Sequence, residues 1–171
     1  MRYLNLVLCL LLWMSAAACE SIATAPSVAK SVTGGGSIAS RQAATVAWSF
    51  RGSLQANEEV TGTAHHLDGS GNGTHLGNFD YTADIVVDEI TEDGAGTVTW
   101  EAANGDQLTG TTAGQIVSFD FPMIGIRETQ TITAGTGRFE GASGTIIVNR
   151  IFNFEAGTTT GSFSGVIQAG H

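Results

Sequence analysis

The stretch TVTWEAANGDQLT, residues 97–109, carries the pattern that decides the fold. Val98, Trp100 and Ala102 stand at every second position, separated by threonine and glutamate. An alternation of period two predicts a strand with one buried face. Asn104-Gly105 follows, and this dipeptide supplies the positive φ angles of a tight hairpin turn. The alternation resumes at Gln107, so the stretch predicts an antiparallel hairpin.

The same alternation recurs on both sides of this hairpin and predicts eight strands in total. They cover about residues 45–54, 58–67, 79–87, 97–102, 107–115, 126–133, 145–152 and 158–167. A glycine-rich turn is expected at 69–73 and an acidic turn at 88–95. An open sheet of eight strands would expose two edges, and closure removes both. The sequence therefore predicts an all-β, eight-stranded antiparallel up-and-down barrel over residues 45–171.

The first residues have the features of an export signal. One arginine, an apolar run from Leu6 to Met14 and three alanines precede Cys19. We therefore expect a signal peptide over 1–18 and a flexible tether over 19–44, rich in Ser, Ala and Thr. The position of Cys19 resembles the acylated cysteine of bacterial lipoproteins, although Ala16 replaces the usual larger aliphatic residue. Lipidation of Cys19 would attach the protein to the cell envelope, and ordinary cleavage after Ala18 would release it.

The charge balance restricts the partners of this chain. It has 16 acidic and 7 basic residues, a net charge of −9, and loss of Arg2 with the signal leaves 6 − 16 = −10. This balance argues against a nucleic-acid partner and against adhesion to anionic lipid. The faces opposite the bulky residues are rich in threonine, which argues against strands that cross a membrane. Membrane attachment is thus expected only through a lipid anchor at Cys19.

A glycine-rich motif adds a family resemblance. The stretch ITAGTGRFEGASG, residues 132–144, resembles a signature of the allene oxide cyclase and dirigent superfamily. GTHLG at 73–77 and ANGDQLTG at 103–110 are similar to patches of its bacterial allene-oxide-cyclase-like members. The resemblance implies an eight-stranded barrel over about 45–167, without implying the plant cyclase activity or a cofactor. Physically, the glycines allow Phe139 to fold back as a plug at one barrel end.

Glu128 and Arg150 are the strongest candidate pair. Each shares an inward face with aliphatic residues, and a turn over 135–143 would place them opposite each other. We expect an inward ion pair, either a satisfied structural pair or one that orients a ligand. The aromatic residues Trp48, Tyr81 and Trp100 also face inward, where they would form the core or wall a cavity.

Three of the four histidines lie close together in the sequence. His65 and His66 are neighbours on a predicted strand, so their side chains point to opposite faces. One of them could meet His75 across the hairpin, but a metal site needs more ligands that converge on one point. Neither a metal nor a cofactor is expected.

The apolar stretch from Phe119 to Ile124, which includes Pro122, interrupts the alternation. It is too apolar for a surface loop that contacts only solvent. Two interpretations remain open: it caps the barrel mouth, or Phe119, Phe121 and Ile124 contact a second copy of the chain.

These observations predict an exported barrel that is lipid-anchored or secreted and non-catalytic. It would bind a small apolar or amphipathic molecule, or have a structural role in the envelope. A cofactor-free cyclase or isomerase inside the barrel is one alternative. His75, Tyr81, Glu128 or Arg150 would then handle protons or orient the substrate. A protein-interaction module is the other alternative.

Overall fold

A computed structural model describes residues 46–169 and shows a closed barrel of eight antiparallel strands. The strands are β1 (Val46–Thr61), β2 (Ala64–Gly73), β3 (Gly77–Val87), β4 (Asp93–Ala102), β5 (Gln107–Asp120), β6 (Met123–Gly135), β7 (Ser143–Asn153) and β8 (Thr158–Ala169). The predicted fold class is confirmed. The predicted signal peptide, Cys19 and the tether lie outside the described residues. Among the residues described, no helix has the length and apolar character needed to span a bilayer.

Closure depends on the pairing of the first strand with the last. β1 pairs with β8 in a continuous register from Val46↔Ala169 to Asn57↔Thr158. Every other strand pairs with its neighbours in sequence, so the topology is a simple up-and-down barrel. The closed ladder leaves no strand edge to pair with another chain.

Aromatic side chains fill the middle of the barrel. The Trp100 indole is fully buried, and its ring centroid lies 4.8 Å from those of Tyr81 and Phe163. Phe79 lies 5.0 Å from the same indole. These side chains come from strands whose alternation predicted inward faces, so the core follows directly from the period-two pattern.

The glycine-rich motif closes one end of the barrel. A 3-10 turn, Gly137–Phe139, begins at a positive φ of 56° and returns the Phe139 ring into the interior. Phe139 is fully buried and packs against Trp48 and Phe50, with ring centroids 5.7 and 6.1 Å away. The predicted plug is therefore confirmed.

The first two predicted strands and the turn after them are wrong in extent. β1 is one strand of 16 residues, and residues 69–73 belong to β2 instead of forming a turn. A Cβ on Gly69 or Gly71 would collide with the neighbouring strands, at Ala56 and Phe79 respectively. These glycines therefore allow a close approach within a strand, and the turn follows them at 74–76.

Two hairpin turns also differ from expectation. The β4–β5 turn spans four residues, and of the Asn104-Gly105 pair only Gly105 has a positive φ, at 84°. The apolar stretch does not interrupt the sheet, because β5 continues to Asp120 and β6 starts at Met123. Phe121-Pro122, joined by a cis peptide bond, forms the whole turn between them.

Candidate ligand-binding cavity

The half of the barrel opposite Phe139 holds a cavity of about 310 Å³. Apolar side chains form its walls: Ile85, Val87, Ile116, Ile124, Ile126 and Phe152. Polar side chains on its inner surface include His65, Thr112, Glu128 and Arg150. The exposed residues Glu92 and Phe154 belong to the same lining, so the cavity reaches the barrel end. Its volume is at the lower end of the range typical of small-molecule sites.

Arg150 is the centre of a buried ion-pair cluster. Its Nε donates to Glu128 Oε1 at 2.8 Å, and its Nη1 donates to Glu58 Oε2 at 2.6 Å. Nη1 also lies 3.2 Å from Thr159 Oγ1. The side chains of all three charged residues are at most 4% exposed. Removal of Arg150 would therefore leave two buried carboxylates without their cation.

Hydrogen bonds extend this cluster in both directions. Glu58 Oε1 lies 2.9 Å from Nδ1 of His65, which is close to the barrel end. On the other side, Gln130 Nε2 donates to Glu128 Oε2 at 3.3 Å and to the Tyr81 hydroxyl at 3.0 Å. Gln130 Oε1 accepts from Trp100 Nε1 at 3.0 Å. The network thus joins the cavity to the aromatic core.

The environment fixes the charge state of two members of this network. Burial alone would lower the pKa of Arg150, but the neighbouring Glu128 and Glu58 carboxylates raise it overall. Burial raises the pKa of Tyr81 far above 10, and the negative charge of Glu128 raises it further. Arg150 is therefore always cationic, and Tyr81 is a neutral hydroxyl that does not serve as a proton-accepting phenolate.

Thr112 is a polar residue of the cavity without a hydrogen-bond partner in the described part of the chain. Its side-chain oxygen is buried and makes no hydrogen bond within residues 46–169. The residue lies on β5 opposite Gln130, and its overall exposure is 3%. Buried hydroxyls in native proteins are normally hydrogen-bonded, so an unpaired one that lines a cavity needs an explanation.

The predicted pairing of Glu128 with Arg150 is confirmed, but the predicted register is wrong. Glu128 lies opposite Val148 and Arg150 opposite Ile126, so the two side chains meet diagonally. The reason is that β6 leaves β7 after Ile132 and continues along β5 to Gly135. Long side chains bridge a diagonal of this kind easily.

The three aromatic candidates for a cavity wall lie elsewhere. Trp100 and Tyr81 are fully buried in the core, and neither belongs to the cavity lining. Trp48 is half-buried at the closed end, where it stacks on His75 with ring centroids 5.4 Å apart. His75 is thus remote from Glu128 and Arg150, and the four catalytic candidates do not form one site.

His65 and His66 point to opposite faces as expected. His65 faces inward to Glu58, whereas His66 Nδ1 lies 2.7 Å from Asp84 on the outer surface. The expectation that one of them meets His75 is wrong, because His75 follows β2 at the far end of the barrel. Within the described range, no cluster of three or more metal-ligating side chains occurs.

Three members of the site were missed by the sequence analysis: Glu58, Thr112 and Gln130. Glu58 follows Phe50, Leu54 and Ala56 on the same alternating face, so a continuous β1 would have placed it inward. Gln130 likewise lies between Glu128 and Ile132 on one face. The predicted break between residues 54 and 58 conceals the inward position of Glu58, because it ends the alternation before this residue.

Comparisons with protein-family models, with curated proteins and with solved structures give no match to this chain.

Proposed function

We propose that this protein is an exported, lipid-anchored barrel that binds a small amphipathic molecule in its open half without transforming it. The aromatic core and Phe139 fill the other half, so space for a ligand is concentrated at one end. Aliphatic walls suit an apolar body, and the polar residues beneath them suit one polar group.

The observation that carries this proposal is the buried, unpartnered Thr112 hydroxyl in the cavity lining. A barrel interior designed only for stability would favour an apolar residue here, because an unpaired hydroxyl costs free energy. A ligand that hydrogen-bonds to Thr112 would remove this cost. Non-catalytic binding is favoured over turnover because Tyr81 is held neutral and the Glu128 carboxylate is bonded to both Arg150 and Gln130.

Native mass spectrometry of the purified protein tests this proposal. We expect the wild-type mass to exceed the denatured mass by that of a bound small molecule. Ile126→Phe places a ring in the cavity and should abolish the extra mass, whereas Ile151→Phe, on the outer face of β7, should retain it. A protein that carries no adduct and binds no alkyl compound on addition would contradict the proposal.

A second candidate function, contact with another copy of the chain, is favoured by the exposed tip of the β5–β6 hairpin. Phe119 and Phe121 are 67% and 57% exposed, and Met123 is 44% exposed. Apolar groups clustered on a surface in this way are typical of an interaction site.

A further inference from the structure

The ion-pair cluster beneath the cavity contains more negative than positive charge. The single guanidinium of Arg150 is shared by Glu128, at 2.8 Å, and Glu58, at 2.6 Å. These three side chains therefore place two carboxylates around one guanidinium. An isolated buried charge is strongly unfavourable, so this site is complementary to a cation.

Glu128 is the carboxylate that a ligand can reach. It belongs to the cavity lining and Glu58 does not, and each of its two oxygens accepts one hydrogen bond, from Arg150 and from Gln130. Gly114 lies opposite Glu128 on β5, and a Cβ at this glycine would lie 2.8 Å from Glu128 Cγ. The absence of a side chain at Gly114 therefore leaves room for the Glu128 side chain within the cavity lining.

Thr112 provides an independent indication of a ligand with a donor group. Its unpartnered oxygen is buried in the same lining, at the inward position next to Gly114. A hydroxyl oxygen accepts a hydrogen bond, and a protonated amine has three N–H donors. One ammonium group could therefore serve both Glu128 and Thr112.

The barrel end that the cavity reaches is also acidic. The turns and strand ends around it carry six exposed carboxylates: Asp88, Glu89, Glu92, Asp93, Asp120 and Glu155. The β3–β4, β5–β6 and β7–β8 turns contain neither Lys nor Arg. Negative charge around a cleft with apolar walls raises the local concentration of cations and lowers that of anions.

From these observations, which rest on the proposed function, we propose that the cavity binds an amphipathic cation, with an apolar body and one protonated amine directed at Glu128. An anionic amphiphile such as a fatty acid is disfavoured, because Arg150 is already paired with two carboxylates. The cavity volume of about 310 Å³ corresponds to roughly ten water molecules. A linear alkylamine of about ten carbons therefore has a suitable size.

Calorimetric titration of the purified protein with decylamine, decanol and decanoate tests this inference, because the three probes differ mainly in the head group. Decylamine should bind at least about tenfold more tightly than decanol, as expected for one charge-assisted hydrogen bond. Decanoate should bind more weakly than decanol. Equal affinities, or tighter binding of decanoate, would overturn the inference and leave the cavity proposal intact. Failure of all three probes to bind would reject both.

Matched variants test whether the Glu128 carboxylate causes the preference for decylamine over decanol. Glu128→Gln keeps an acceptor for Arg150 but removes one negative charge, so the preference for decylamine over decanol should fall about tenfold. Glu155→Gln removes an equal charge from the exposed β7–β8 turn and should change the preference less than about twofold, since surface charges are screened. An unchanged preference in Glu128→Gln would overturn the inference. If this variant does not fold, the wild-type comparison of the three head groups decides the question by itself.

Discussion

At the residue scale, Thr112 offers a direct test of a conflict between stability and binding. Val has nearly the same shape as Thr but lacks the hydroxyl that has no partner in the cavity lining. Because an unsatisfied buried hydroxyl costs about 1–3 kcal/mol, Thr112→Val should raise the free energy of unfolding by about 1 kcal/mol. Urea denaturation of ligand-free protein measures this change.

Thr159 provides the matched control for this substitution. It is also a buried threonine, but its hydroxyl donates to the Ile151 carbonyl and lies 3.2 Å from Arg150 Nη1. Thr159→Val should therefore lower the free energy of unfolding by about 1–2 kcal/mol, because both hydrogen bonds are lost. Equal destabilisation by the two substitutions would contradict the interpretation of Thr112 as unpaired.

The outer histidine, His66, gives a pH-dependent prediction. Its hydrogen bond to Asp84 raises the pKa of His66 above the ordinary 6.5, against a smaller opposing effect of burial. Because the pKa of His66 is higher in the folded than in the unfolded state, this pair stabilises the barrel fully at pH values below the unfolded-state pKa. The contribution is lost as the pH rises through the folded pKa. NMR titration should show that Asp84→Asn lowers the pKa of His66, and an unchanged pKa would exclude this pair as the cause.

At the scale of elements, the β5–β6 hairpin divides the apolar stretch into residues of two kinds. Ile124 lines the cavity, whereas its partner in the register, Phe119, lies outside the lining and is 67% exposed. Phe121 lies in the turn and packs against Phe154, with ring centroids 6.1 Å apart. The two interpretations of this stretch, as a cap and as a contact between copies, therefore concern different residues.

Serine substitutions at Phe121 and Ile124 separate the contact from the cap. We expect Phe121→Ser to weaken self-association in analytical ultracentrifugation without changing ligand affinity, since it removes exposed apolar surface at the turn. Ile124→Ser should instead weaken ligand binding, because Ile124 lines the cavity. A wild-type protein that remains monomeric at all concentrations would reject the contact between copies, and the cap would remain.

At the scale of the whole molecule, the barrel has one half that is filled by the aromatic core and one half that holds the cavity. The closed half holds the aromatic core and Phe139, and no disulfide joins residues 46–169, which contain no cysteine. The open half keeps a polar cluster that contributes little net stability, because desolvation offsets the attraction of its charges. Retention of such a cluster beside a cavity is consistent with binding.

The proposed attachment of this protein to the envelope is tested through Cys19. Acylation should add a lipid mass to the mature protein and place it in the membrane fraction. Cys19→Ala should remove the lipid mass and shift the protein to the soluble fraction, while the barrel remains folded. A wild-type protein that begins at Cys19 without a lipid would support ordinary cleavage after Ala18 instead.

The sequence by itself was sufficient for the number of strands, their order and most inward faces. Alternation is a local property, because successive side chains of a strand point to opposite faces whatever the strand pairs with. Trp100 and Tyr81 could therefore be assigned to the core, and Glu128 and Arg150 to the interior, from their neighbours in sequence alone. The NG turn and the glycine-rich motif were equally local signals.

The tertiary structure alone decided which inward residues meet. Glu58 and Arg150 are 92 positions apart and come together only because β1 closes on β8, which brings β7 within reach. The glycines of β2 are indistinguishable from a turn in sequence, because their purpose is contact with neighbouring strands. The cavity likewise depends on which interior positions remain unfilled once eight strands enclose a fixed volume. The unfilled volume is a property of the closed barrel, because no single strand determines it.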